Sequence, residues 1–307
     1  MEEDLAAWTA SELRSIADAR PERRLGADLV RARRGVYLSH GAWQSATSDA
    51  RYSARIAASA LTLSSPIYSH ESALRLLGLP SLRPWPTEIH LISERRSGGR
   101  SQDDVRRHCL GLELAPVVEV GELTCTSPAR TALDIALSRS FLEGVVVADA
   151  AFARDPGTRP EFVAIIGAMK AGTRGLAKAM RVLDFADERC ESPGESISRV
   201  EIVRLGFQAP ELQTEIRDRG SLIGRLDFHW PSVGVGGEFD GRTKYLDARM
   251  TQGRTASEIV VAGKDRENRL RRHLTGFARW NMAELRDTPL FTRILVEAGV
   301  PRLARGR

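Results

Sequence analysis

Arg225-Leu-Asp-Phe-His-Trp-Pro-Ser-Val-Gly-Val-Gly-Gly-Glu-Phe-Asp-Gly-Arg-Thr-Lys-Tyr245 alternates apolar and polar side chains on either side of a turn. Leu226, Phe228 and Trp230 interleave with Arg225, Asp227 and His229, and Val235 and Phe239 interleave with Glu238 and Asp240. Period-two alternation predicts two half-buried strands, and Pro231 and Gly234 bracket the turn between them. With that turn, Trp230 pairs with Val235 and Leu226 with Phe239, so Asp227 faces Glu238 and Arg225 faces Asp240. Like charges directly opposite each other are destabilising. The pair therefore calls for a counter-charge, and a divalent cation supplies one.

The sequence around the hairpin extends this pattern. Upstream, Ser192-Pro-Gly-Glu195 opens an amphipathic run of Ile197, Val200, Ile202, Val203 and Leu205 that ends at Gly206. Ser at the cap, Pro at the first helical position and Glu two residues on make a capping box. The same Glu195 carboxylate, in the first turn, points toward the hairpin. Pro210 to Ile216 is a predicted strand with Leu212, Thr214 and Ile216 on one side and Gln213 and Glu215 on the other. Downstream, a helix is predicted from Ala256 to Leu274 and a returning strand over Phe277–Asn281. The order is helix, three strands, helix, strand, helix.

Before this block the chain divides into three more. Residues 1–45 are predicted to hold helices over Ala10–Ala19 and Leu25–Ala32, followed by the basic strand Arg33-Arg-Gly-Val-Tyr-Leu38. That combination suggests a winged-helix-like element, whose Arg31, Arg33 and Arg34 contact phosphates without reading bases; a surface hairpin with solvated arginines is the alternative. Residues 46–155 read as an α/β domain with helices at Ala46–Leu63, Glu71–Leu77, Arg130–Ser138 and Leu142–Ala153. Its predicted strands are Ile67–Tyr68, Glu88–Ile92 and Leu112–Val120. Ser69, His70, Ser127 and Arg130 lie here, but they show no nucleophile–base spacing. Ser127-Pro128 is read as a helix cap. Residues 156–190 form a helical connector, Glu161 to Arg189, interrupted at Gly172 and Gly175. Residues 191–307 make up the last domain.

In 307 residues the net charge is +5, which permits a polyanionic partner. From Lys264 to Arg307 there are eleven Lys or Arg against five Asp or Glu, including Arg266, Arg269 and Arg272. Lysine is rare, at positions 170, 178, 244 and 264, and two of the four lie in or after the hairpin. A compact ammonium does acid–base work that a guanidinium does not. No apolar run approaches membrane-spanning length, and Met1-Glu-Glu-Asp lacks the order of a secretory leader. Cys109, Cys125 and Cys190 are odd in number and widely spaced, which fits a reduced, cytoplasmic setting without structural zinc.

The quoted motifs resemble the PD-(D/E)XK nuclease superfamily, specifically its very-short-patch-repair-like endonuclease branch. They are Ser192-Pro-Gly-Glu195, Pro210 with Gln213, Arg225-Leu-Asp227, Gly237-Glu-Phe-Asp-Gly-Arg-Thr-Lys-Tyr245 and Lys264-Asp-Arg266. Arg34-Gly-Val-Tyr37, Ser69-His-Glu-Ser-Ala73, Gly78-Leu-Pro80, Ile89-His-Leu91 and Thr126-Ser-Pro-Ala-Arg-Thr-Ala-Leu-Asp134 are similar to AbiEi-type antitoxin proteins of actinobacteria. The resemblances imply an α/β protein: a degenerate winged helix, an AbiEi-like middle domain and a C-terminal three-layer α/β/α, restriction-endonuclease-like domain. Asp227 and Glu238 would bind the metal, with Glu195 completing the shell. Asp240 stands where the superfamily has lysine; it would add a metal ligand, and Lys244 or Lys264 would return the missing ammonium from elsewhere. Gln213 and His229 are accessory candidates.

Oxygen-only ligands suit Mg²⁺ or Mn²⁺. The expected activity is metal-dependent DNA cleavage or nicking, with DNA as partner. The alternatives are a catalytically inactive DNA-binding regulator of the antitoxin type and a scaffold that binds a cognate toxin.

Overall fold

The computed structural model describes residues 14–15, 29–93, 104–109, 115–241 and 269–303. The chain folds as two compact units, Met1–Ala186 and Asp187–Arg307. Among the described residues no helix is long and apolar enough to cross a membrane.

The first unit opens with a three-stranded antiparallel sheet, order β1-β3-β2, from β1 (Arg14–Ser15), β2 (Leu29–Arg33) and β3 (Val36–Ser39). Two stretches whose sequence predicts helix contain strand. Arg14–Ser15 is strand within the expected Ala10–Ala19 helix, and Leu29–Arg33 is strand where Leu25–Ala32 was expected to be helical. In the second case Val30 and Ala32 alternate with Arg31 and Arg33, and Gly35 at φ 81° makes the turn that lets β2 pair with β3.

Helices α1 (His40–Ser45) and α2 (Ser48–Ala60) follow, capped by the side chains of Ser39 and Thr47. A five-stranded mixed sheet comes next, order β6-β5-β4-β8-β7. Its strands are β4 (Ile67–Tyr68), β5 (Ile89–Ile92), β6 (Val105–His108), β7 (Val117–Val120) and β8 (Leu123–Thr126). Helix α3 (His70–Leu77) leaves β4 and ends at Gly78, whose φ of 59° is the left-handed cap that glycine accommodates. The unit closes with α4 (Pro128–Ser138), α5 (Phe141–Arg154), α6 (Thr158–Ala168) and α7 (Leu176–Phe185). Ser127 caps α4 with Pro128 behind it, as its sequence predicts.

The second unit begins with α8 (Pro193–Arg204). Its four-stranded sheet, order β12-β11-β10-β9, comprises β9 (Glu211–Asp218), β10 (Ser221–Trp230), β11 (Val235–Asp240) and β12 (Gly276–Asn281). β9, β10 and β11 run antiparallel, while β12 returns parallel to β11. Helices α9 (Met282–Arg286) and α10 (Thr288–Glu297) end the described chain. Of the helix expected over Ala256–Leu274, residues 269–271 are helical, 272–274 are not, and 256–268 lie outside the described residues.

Next to the turn the hairpin adopts the register its alternation predicts, with Trp230 opposite Val235, but the ladder ends at Phe228–Gly237, short of the expected Asp227–Glu238 and Leu226–Phe239 pairs. Phe228, Trp230, Val235 and Trp280 enter one core with Ile202, Phe291 and Leu295. Inside it Trp280 stacks on Phe228, its ring centroid 5.2 Å away, and its indole N–H donates to Ser198 Oγ at 2.8 Å. Ser198→Ala leaves that buried donor without an acceptor. It is expected to cost about 1–3 kcal/mol, measured as a lower urea midpoint by tryptophan fluorescence.

Candidate functional site

The registers of the second sheet bring four polar residues to one level, one from each strand. The β9–β10 ladder pairs Thr214 with Leu226 and Leu212 with Phe228, so Gln213 stands opposite Asp227. The β10–β11 ladder ends at Phe228–Gly237, and Asp227 and Glu238 are the residues that follow it on the two strands. Across β11–β12, Glu238 pairs with Arg279. The level is therefore Gln213–Asp227–Glu238–Arg279, and the adjacent one, Leu212–Phe228–Gly237–Ala278, is apolar. Asp227 turns its carboxylate onto the neighbouring strand, where Oδ2 accepts the Phe239 N–H at 2.9 Å. Glu238 is buried.

Glu195 reaches this level from the first turn of α8. Ser192 Oγ accepts the Glu195 N–H at 3.3 Å, so the predicted cap forms. The reciprocal half differs from a standard capping box, because Glu195 Oε2 accepts the N–H of Glu191 at 3.0 Å, one residue before the cap. Oε1 accepts the Ser192 hydroxyl at 2.7 Å, and Oε2 also accepts Gln213 Nε2–H at 2.9 Å. With three donors on a carboxylate only 2% exposed, Glu195 is held rigidly and in turn holds Gln213.

Gln213 itself sits at φ 54°, a conformation that costs a non-glycine residue roughly 1–3 kcal/mol. Its amide oxygen Oε1 is buried and meets no hydrogen-bond partner among the described residues. A buried amide oxygen of this kind has the donor chemistry a hard divalent cation takes.

Asp240 ion-pairs with Arg279 at 3.3 Å. The expected Arg225–Asp240 facing pair does not form, because the ladder between β10 and β11 ends at Phe228–Gly237 and Arg225 turns to Glu191 at 2.5 Å. Arg279 is thus a described cation at the level of the acids, a role that sequence reasoning gave to lysines. Lys244 and Lys264 lie outside the described residues, as does Arg266. His229 is half-buried, level with Glu211 and Gly236, and its Nδ1 is buried without a partner among the described residues. Burial lowers its pKa, and Glu211 offsets part of that.

Among the basic candidates, Arg31, Arg34, Arg269 and Arg272 are exposed. Arg33 is not available in the same way: its guanidinium is largely buried and paired with Asp104 at 3.4 Å.

The first unit holds a cluster that sequence reasoning missed. His70, His90 and His108 each offer a ring nitrogen, and these nitrogens all lie within 4.8 Å of one another. His90 Nδ1 is 3.0 Å from His108 Nε2, and the His70 ring stacks on that of His108 with centroids 3.5 Å apart. Three of the chain's six histidines meet here. The available signal was His90 inside the otherwise apolar strand Ile89-His-Leu-Ile92, whose four residues are all buried.

Burial lowers the pKa of all three, to about 4 for His90 and about 4 for His108. Asp134, 3.7 Å from His70, is pushed up to about 6 by its own burial. The imidazoles bind protons in the unfolded chain below its ordinary histidine pKa of about 6.5, but in the folded protein only well below it, near 4 for His90 and His108. Their contribution to stability is complete above about 6.5 and is lost as pH falls toward 4. Asp134 acts oppositely over roughly pH 4–6, one group against three. Thermal melts in chelator should therefore show the first unit's midpoint falling from pH 6.5 to 4; a flat profile would contradict neutral, buried imidazoles.

No family model matches the chain. Two uncharacterized proteins of Mycobacterium tuberculosis, from strains CDC 1551 and H37Rv, are each 30% identical to it over 161 residues. The match covers 52% of this chain and 53% of theirs. The chain thus spans about half the length of the curated relatives it matches.

Proposed function

We propose that the second unit is a Mg²⁺- or Mn²⁺-dependent nuclease that cuts or nicks DNA, with the basic surfaces of the protein contacting the phosphate backbone. The observation that carries this reading is the strained Gln213, opposite Asp227 in the sheet register, whose Oε1 is buried without a hydrogen-bond partner among the described residues. The order helix, three antiparallel strands and a parallel returning strand supports it, being the order of the PD-(D/E)XK nucleases that the motifs resemble.

In this reading Asp227, Glu238 and Gln213 Oε1 hold the cation, and Glu195 positions Gln213 rather than ligating directly. The ion, when bound, supplies a Lewis acid for the phosphate and lowers the pKa of a water. Arg279, level with Glu238, provides fixed positive charge for the developing phosphorane, and the Asp240 carboxylate orients that guanidinium. Exposed Arg269 and Arg272 give sequence-independent backbone contacts.

The Asp240–Arg279 pair also favours a second reading, an inactive DNA-binding regulator, because it puts a neutralised pair where a free ammonium is expected. A plasmid-nicking assay across Mg²⁺, Mn²⁺ and Ca²⁺ separates the two. Nicking in Mg²⁺ or Mn²⁺ is the expected result. DNA affinity that falls steeply with salt, with no cleavage in any metal, would leave the regulator.

A further inference from the structure

We propose that His70, His90 and His108 bind a divalent transition-metal ion of the zinc class, and that this ion clamps the edge strand β6 to α3. The inference is independent of the nuclease reading, since the cluster lies in the first unit. The three imidazoles come from three different elements: His70 is the first residue of α3, His90 lies within β5, and His108 ends β6, an edge of the five-stranded sheet.

Two departures from ordinary local structure aim His70 at the cluster. Its backbone sits at φ 49°, outside the conformations a non-glycine side chain prefers. Ser69, at the N-cap of α3, makes no side-chain cap bond; its hydroxyl contacts His70 Nδ1 instead, at 3.2 Å. A cap of this kind is worth roughly 1 kcal/mol to a helix. A strained residue and a diverted cap at one position mark a place where geometry serves something other than the helix.

The surroundings match those of histidine metal sites. His70 and His90 are buried, and burial keeps all three rings in the neutral form that coordinates. Two carboxylates border the cluster, close to the ring nitrogens themselves. Glu71 Oε2 is 3.0 Å from His90 Nδ1, and Asp134 Oδ2 is 3.7 Å from His70 Nδ1. Both oxygens are buried and, apart from these approaches to the imidazoles, lack hydrogen-bond partners among the described residues. Arg139 pairs with Glu71 through its other oxygen, and Arg130 with Asp134 at 2.8 Å, so both carboxylates are fixed in place. Three imidazoles with a carboxylate at the rim favour Zn²⁺ or Co²⁺ over Mg²⁺, which takes oxygen ligands.

The test uses the full chain, freed of metal and titrated with Co²⁺ and then Zn²⁺. Expected are one equivalent of Co²⁺ with visible ligand-field bands of a nitrogen-rich, low-coordinate site, displacement by Zn²⁺, and a melting temperature raised by one equivalent of Zn²⁺. His108→Gln, at the half-buried edge position, should fold without metal and bind Zn²⁺ more than about 100-fold more weakly. Asp227→Asn should leave the bands intact, which separates this site from the carboxylates of the second unit. If His108→Gln does not fold, the wild-type bands and melting shift decide alone. Absence of those bands and of the shift in the wild type overturns the proposal, as does unchanged Co²⁺ uptake by a folded His108→Gln chain.

Discussion

Asp227→Asn and Glu238→Gln are each expected to reduce Mg²⁺-dependent cleavage by about 10³-fold or more while leaving the second unit folded. The amide replacements are chosen for the local geometry. Asp227 Oδ2 accepts the Phe239 N–H, and an asparagine oxygen can do the same, so β10 and β11 stay joined. What disappears is one negative charge from a pair on adjacent strands. A cation stabilising a phosphoryl transition state contributes several kcal/mol, and each factor of ten in rate is about 1.4 kcal/mol. The readout is initial nicking rate against metal concentration, with circular dichroism as the control for folding. Cleavage that survives both substitutions would place the chemistry elsewhere.

Gly175→Ala is expected to destabilise the first unit by about 3 kcal/mol or more, from two sources. Gly175 has φ 84°, which an alanine reaches only with strain. A Cβ built there would also lie 2.3 Å from the carbonyl oxygen of Leu137 and 3.0 Å from its carbonyl carbon. Both atoms are backbone in the last turn of α4, so no rotamer change relieves the overlap and α7 must move off α4. For a unit of this size the loss corresponds to a melting temperature lower by roughly 6–12 °C. A change of less than 2 °C by calorimetry would show that the two helices are not held as closely as described.

Much of the second unit was legible in sequence because its signals are local. Alternation sets the hairpin register, the turn residues place Trp230 against Val235, and Ser192-Pro193 announces the start of α8. The partners of Asp240 and Arg225 were not legible, because they depend on where a ladder stops and on β12, a strand that joins from some 35 residues downstream. Gln213 was placed on the right strand, but nothing in Leu-Gln-Thr announces a positive φ. In the first unit, strands β6 and β8 went unread. Val-Arg-Arg-His and Leu-Thr-Cys-Thr are short and polar, and their pairing is decided by neighbours distant in sequence. The histidine trio shares that origin: positions 70, 90 and 108 meet only once β4, β5 and β6 are side by side.

The level Gln213–Asp227–Glu238–Arg279 takes one residue from every strand of its sheet. No hairpin or sub-fragment contains it, so loss of a single edge strand removes an outer member and leaves two facing carboxylates. Local fraying and loss of the site become the same event. Cation binding, in turn, would favour only the fully paired sheet, and amide exchange in β9 and β12 should slow together when metal is added.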